Sequence, residues 1–304
     1  MKRNAIITII FAFISLSAFS QQLPLYSQYM FNPMLLNPAV TGSHDNIPIR
    51  LTARQQWVGI DNAPSTQAIS GHMRLNNETM GVGAVIYADR FGPETKIGFQ
   101  GNYSYILPMM NDDAHLAFGL SFQVFQYSMN YNNMVSIDHN DPALNYNIEK
   151  SWVPDSDFGI YFYSEEYYAG LSVNQLIETH LNIGGVEFNQ NTLIRHYNFM
   201  GGYKFDLDND FEIEPSCLVK GTFETPFQLD FNVKGIYKKN YWLAFSYRTS
   251  NDIIAMLGLK LDEFTFGLGY DYSVSALSAY QNGTFELMVG YNLNRKALSG
   301  SSRL

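Results

Sequence analysis

Every strongly patterned run in this chain alternates with a period of two, and the charges within those runs share one face. Phe227, Leu229, Phe231 and Val233 fall on one side, with Gln228, Asp230, Asn232 and Lys234 on the other. Ile49, Leu51, Ala53 and Trp57 likewise oppose Arg50, Thr52, Arg54 and Gln56, and Phe264, Phe266, Leu268, Tyr270 and Tyr272 oppose Thr265, Gly267, Gly269 and Asp271. A period of two marks strands, not helices. A face that is aliphatic and aromatic but never ionic is built for lipid, where a Lys or Arg at mid-bilayer costs roughly 2–4 kcal/mol.

Composition agrees, since 15% charged residues is well below the roughly 25% of soluble domains. Past the leader, no run approaches the roughly 20 apolar residues that a spanning helix needs. A closed barrel is the other way to satisfy all backbone polar groups inside lipid. The expected fold is therefore all-β, a transmembrane antiparallel β-barrel of about 14 strands with an irregular, plug-like N-terminal segment.

The ends divide off by composition. Lys2 and Arg3 precede an apolar run over 5–19, and Ala18-Phe19-Ser20 marks a cut before Gln21, so 1–20 is expected to be a signal peptide. Residues 21–48 form the irregular segment, 49–293 the barrel and 294–304 a periplasmic tail. Short turns near 76–78, 108–114, 164–166, 207–210, 238–240 and 262–263 alternate with loops at 58–65, 89–94, 129–155, 175–194 and 273–282. Outer-membrane barrels keep their short turns in the periplasm, which places both termini there and makes 129–155 and 175–194 the long loops of the expected external surface. Pro215 cannot donate to a ladder and is expected at a bulge. Trp57, Trp152, Trp242 and the tyrosines 161, 163, 167 and 168 suit interfacial girdles.

Alternation assigns Arg50, Arg54, Arg74, Lys96, Lys204, Lys220, Lys234, Arg248 and Lys260 to the lumen, against Asp157, Glu212, Glu214, Asp230, Asp271 and Glu286. The lumen is then mildly cationic, either paired within itself or suited to an acidic segment or an anion. Arg54, Arg74, Lys204, Lys220, Lys234 and Arg248 are the candidate lumen charges. The segment 21–48 is too aromatic and aliphatic for a solvated linker, and Pro24, Pro33, Pro38 and Pro48 deny it a regular strand or long helix. Its candidate plug or partner contacts are Tyr29, Phe31, Asn32, Pro33, Leu35, Asn37 and Pro38.

Catalytic chemistry finds little support. Only His72 and His196 are assigned inward, and neither has a nucleophile and acid at telling spacing. Asp138-His139-Asn140-Asp141 and the acids of 206–210 lack the offsets of a calcium loop and read as turns. No cofactor is expected. Cys217 is the sole cysteine, so no intramolecular disulfide forms. The acidic balance and the lack of a basic, aromatic stripe argue against nucleic acid.

One stretch is more specific. The run from Tyr26-Ser27-Gln28-Tyr29-Met30-Phe31-Asn32-Pro33 through Met34-Leu35-Leu36-Asn37-Pro38-Ala39-Val40-Thr41-Gly42 resembles the opening signature of the PorP/SprF family of type IX secretion system membrane proteins. Arg54-Gln55-Gln56-Trp57-Val58-Gly59, Ala63-Pro64-Ser65-Thr66-Gln67, Gly81-Val82-Gly83 and Asp89-Arg90-Phe91-Gly92 continue the likeness. The resemblance implies a non-enzymatic barrel supporting secretion or surface attachment of cargo, such as adhesins with C-terminal sorting domains, and in some bacteria gliding motility. The implied partners are a secreted or surface protein with such a domain, other type IX secretion components and outer-membrane lipid. The alternative is an outer-membrane channel for small hydrophobic or anionic solutes, of the FadL kind.

Overall fold

A computed structural model describes residues 24–75, 78–110, 113–131, 148–181 and 192–294. The expected signal peptide, most of the tail and the 138–141 acidic loop lie outside them. Alternating residues build β1 (Ile47–Gln55), β2 (Ser65–Arg74), β3 (Met80–Phe91), β4 (Glu94–Met109), β5 (Ala114–Asn130), β6 (Ile148–Ser164), β7 (Tyr167–Asn174) and β8 (His196–Tyr203). A two-residue β9 (Phe205–Asp206) continues β8, followed by β10 (Phe211–Gly221), β11 (Gln228–Tyr237), β12 (Tyr241–Arg248), β13 (Asp252–Leu261), β14 (Phe264–Ser273) and β15 (Thr284–Leu293). Counting β8 and β9 as one stave, fourteen antiparallel strands pair in sequence order, and β1 meets β15 from Ile47↔Leu293 to Gln55↔Phe285. The barrel is closed, with no free lateral edge.

Outward positions match the alternation, as at Phe231, Val233, Phe266 and Leu268, which are exposed, whereas Asp230, Asn232 and Asp271 are buried. Strands run further than the turn signals suggested. β1 takes in Pro48, β3 reaches Phe91, and β5 and β6 pair out to Asn130↔Ile148, so much of 129–155 is hairpin wall. Pro215 makes no bulge, because Pro215↔Val233 stays in step with Glu214↔Lys234 and Ser216↔Asn232. On its other side the ladder is interrupted opposite Pro215 and Glu214, between Ser216↔Gly202 and Ile213↔Phe205. A missing donor has cost one rung without shifting register.

Four aromatic assignments are corrected. Tyr161 and Tyr163 are buried in the lumen, Trp242 points inward, and Tyr168 packs against the same inner core. All four share the phase of their inward neighbours, so residue type had overridden parity. His115 stacks on inward-facing Tyr163 with centroids 5.1 Å apart, adding a third inward histidine.

Candidate functional site: the occupied lumen

Residues 24–42 lie inside the barrel, and His44 and Asp45 emerge from it. The two Asn-Pro steps shape them, since a residue before proline is pushed out of the helical region while proline itself suits a first helical position. Single 3-10 turns follow at Tyr29–Phe31, Pro33–Leu35 and Pro38–Val40, and Asn37 caps the last by accepting Ala39 N–H at 2.9 Å. The segment runs along the lumen. Ser27 and Gln28 sit near the loop end, beside the last residues of β1 and the first of β15, while Gly42 lies at the short-turn end against Gly81. The described chain thus runs from the loop end of the barrel to the start of β1 at the short-turn end.

A buried ionic network holds the outer end. Arg54 reaches Asp271 at 2.7 Å and Glu286 at 2.9 Å, and Arg248 binds Asp230 through paired contacts of about 3.0 Å. Ser27 joins it, its hydroxyl bonding Asp271 and accepting from Arg54, each at 2.7 Å. Glu286 takes the backbone N–H of Ser27 at 2.7 Å and of Gln28 at 2.9 Å. Opposite charges at close range and these hydrogen bonds offset the cost of burying the ions, although Arg54 Nε and Asp271 Oδ1 find no partner.

Lower down, polar side chains pin the segment to facing strands. Asn32 donates to Ser70 at 2.9 Å, Ser172 to Leu36 O at 2.7 Å, and the Gly42 amide to His72 Nδ1 at 3.0 Å. Arg74 donates to Gly42 O at 2.8 Å. Asn37, fully buried, donates to the Ile160 and Leu171 carbonyls at 3.0 and 3.2 Å. Asn232 donates to the Tyr29 hydroxyl.

Apolar contacts complete the filling. Tyr26, Tyr29, Met34, Ala39 and Val40 pack with Ala68, Val85, Ile106, Ala117, Tyr161, Met200 and Leu218 of the wall. Phe31 lies 4.1 Å from Trp242, with Lys234 Nζ 5.1 Å over its ring. Inward glycines make the room. A Cβ on Gly119 would strike the Ala39 backbone, and one on Gly159 would strike the Asn37 amide. Cavities of about 80 Å³, beside Tyr26, Leu35 and Asp157, and about 160 Å³, beside Leu25 and Arg248, remain. On the outer side, Leu181 and Leu193 of the β7–β8 loop pack over Phe125, Tyr127 and Val153.

Of the candidate charges, Arg54 and Arg248 join the network, Arg74 holds the segment, and Lys234 pairs with Glu214 at 2.6 Å. Lys220 is half-buried, and Lys204 sits at the break between β8 and β9. Pro33 begins a 3-10 turn, Leu35 packs against the core and Pro38 is buried. Alternation had omitted two inward acids, Asp89, which accepts from Thr66, and Asp155, which accepts the Ser156 and Ile177 amides at 2.7 and 3.0 Å. The lumen is thus closer to charge balance than nine bases against six acids. Among the described residues no cluster of three or more potential metal ligands occurs.

A closed fourteen-strand barrel with a lipid-facing apolar wall and a filled lumen defines an outer-membrane β-barrel protein. The toluene transporter TbuX of Ralstonia pickettii shares the fold with a TM-score of 0.54 and 8% identity, over 86% of this chain and 92% of that one. The monoaromatic hydrocarbon channel CymD follows with a TM-score of 0.52 and 11% identity, over 92% and 96%. Comparison with curated protein sequences finds no match. The family model for type IX secretion system membrane protein PorP/SprF matches residues 18–291, and the chain belongs to that family.

Proposed function

We propose that this barrel is a non-enzymatic platform of type IX secretion, holding a secreted or surface protein with a C-terminal sorting domain at the outer face. The observation that carries this reading is the occupied lumen. The inner segment bonds to strands on opposite sides of the barrel and shares a hydrophobic core with them, so a continuous passage would require its displacement. Filling a barrel with packed, hydrogen-bonded chain stiffens it as a support while leaving the outer loops to make contacts. Membership of a secretion family supplies the process.

The test is affinity purification of the tagged protein from gently solubilised outer membranes, with and without the outer loops. Recovery of a surface protein through its C-terminal domain, lost when residues 132–147 or 182–191 are replaced by short linkers, is the expected result. Loop-independent recovery of small hydrophobic molecules with no protein partner would favour a solute channel.

A further inference from the structure

Among the described residues, the lipid-facing wall carries an apolar notch over β7. Register sets the outward side chains of β6, β7, β8 and β10 in rows, Phe158 beside Val173 and Tyr197, then Ile160 beside Leu171, Phe199 and Val219. Val173 is shorter than Phe158 and Tyr197 on either side and Leu171 shorter than Phe199, and a concavity of about 320 Å³ opens over β7. Phe223 closes its loop end, with ring centroids 4.5 Å from Tyr197 and 6.3 Å from Phe227. Tyr167 and Tyr203, stacked at 6.3 Å, stand toward the opposite end. The next row between them holds the small residues Ala169, Gly201 and Cys217.

We infer that this notch is a fixed binding site for one acyl tail of an outer-leaflet lipid. It lies on the lipid-facing wall, at the loop end, and its side-chain lining is almost wholly apolar. An unfilled void there would forfeit dispersion contacts on every side. A protein strand laid in it would face hydrocarbon with unpaired backbone groups, each costing several kcal/mol. A helix, about 10–12 Å across with its side chains, is wider than the roughly 10 Å that two strand spacings leave between β6 and β8. A flexible tail carries no polar group and takes the shape of the trough.

The purified full-length barrel, reconstituted in vesicles containing a phospholipid with a diazirine in its acyl chain, is irradiated and its labelled peptides are mapped. Label on the peptides carrying Leu171, Val173 and Phe199 is expected to exceed label around Leu243 and Leu257 several-fold. Val173→Trp should bring it to the level of the rest of the wall, and Val173→Phe should do so in part, whereas Leu257→Trp on the far wall should leave it unchanged. Label spread evenly round the barrel, or notch label unmoved by both filling variants, would overturn the site.

Discussion

Glu286 is fully buried, and it accepts from Arg54 and from two consecutive backbone amides of the inner segment. Arg54 and Glu286 also face each other across the pairing of the first and last strands, so one carboxylate secures both the closure and its occupant. Removing one partner of a buried ion pair leaves the other uncompensated, at about 3–5 kcal/mol. Glu286→Ala should therefore lower the temperature at which the heat-modifiable band unfolds on semi-native gels far more than Glu212→Ala on half-buried, short-turn-end ground; equal shifts would deny the network its role. Glycine makes the complementary case. Gly119→Leu puts a side chain where Ala39 runs, and should expose the inner segment to added protease while the barrel still assembles. Gly101→Leu, with open space around its Cβ, should not.

At the scale of elements, the inner segment's direction is the most consequential finding. Leu25 borders the outer cavity, so Leu25→Cys, in a Cys217→Ser background, should react with a membrane-impermeant thiol reagent added to intact cells. Labelling only after the outer membrane is breached would reverse the direction. The strands were legible in the sequence because lipid enforces a strict two-residue alternation. Parity alone also held the positions of Trp242, Tyr161 and Tyr163, and a girdle rule based on residue type obscured them. Asp155 was lost because 129–155 read as one loop, whereas β6 begins at Ile148 and carries it into the wall. Glycine at inward positions was visible, but its cause was not. Gly119, Gly159 and Gly170 face a segment more than seventy residues upstream, and no local pattern encodes a contact at that separation.

The whole molecule is a barrel with a core, in which segment and wall bury tyrosine, methionine and leucine side chains together. That design predicts a closed state. Planar bilayers holding the intact protein should show little conductance, and deletion of residues 24–40 should both raise it and lower thermal stability; large steady currents from the intact protein would speak against a filled lumen. The central claim is that the barrel does its work with the lumen occupied. It is tested most directly by tethering the segment in place through N32C and S70C, whose native side chains touch at 2.9 Å, again with Cys217→Ser. If the platform account holds, cells carrying the oxidised, locked barrel secrete and retain their surface protein as the parent does. Loss of secretion on locking, restored by a reductant, would mean that the segment must leave the lumen and that the barrel is a conduit.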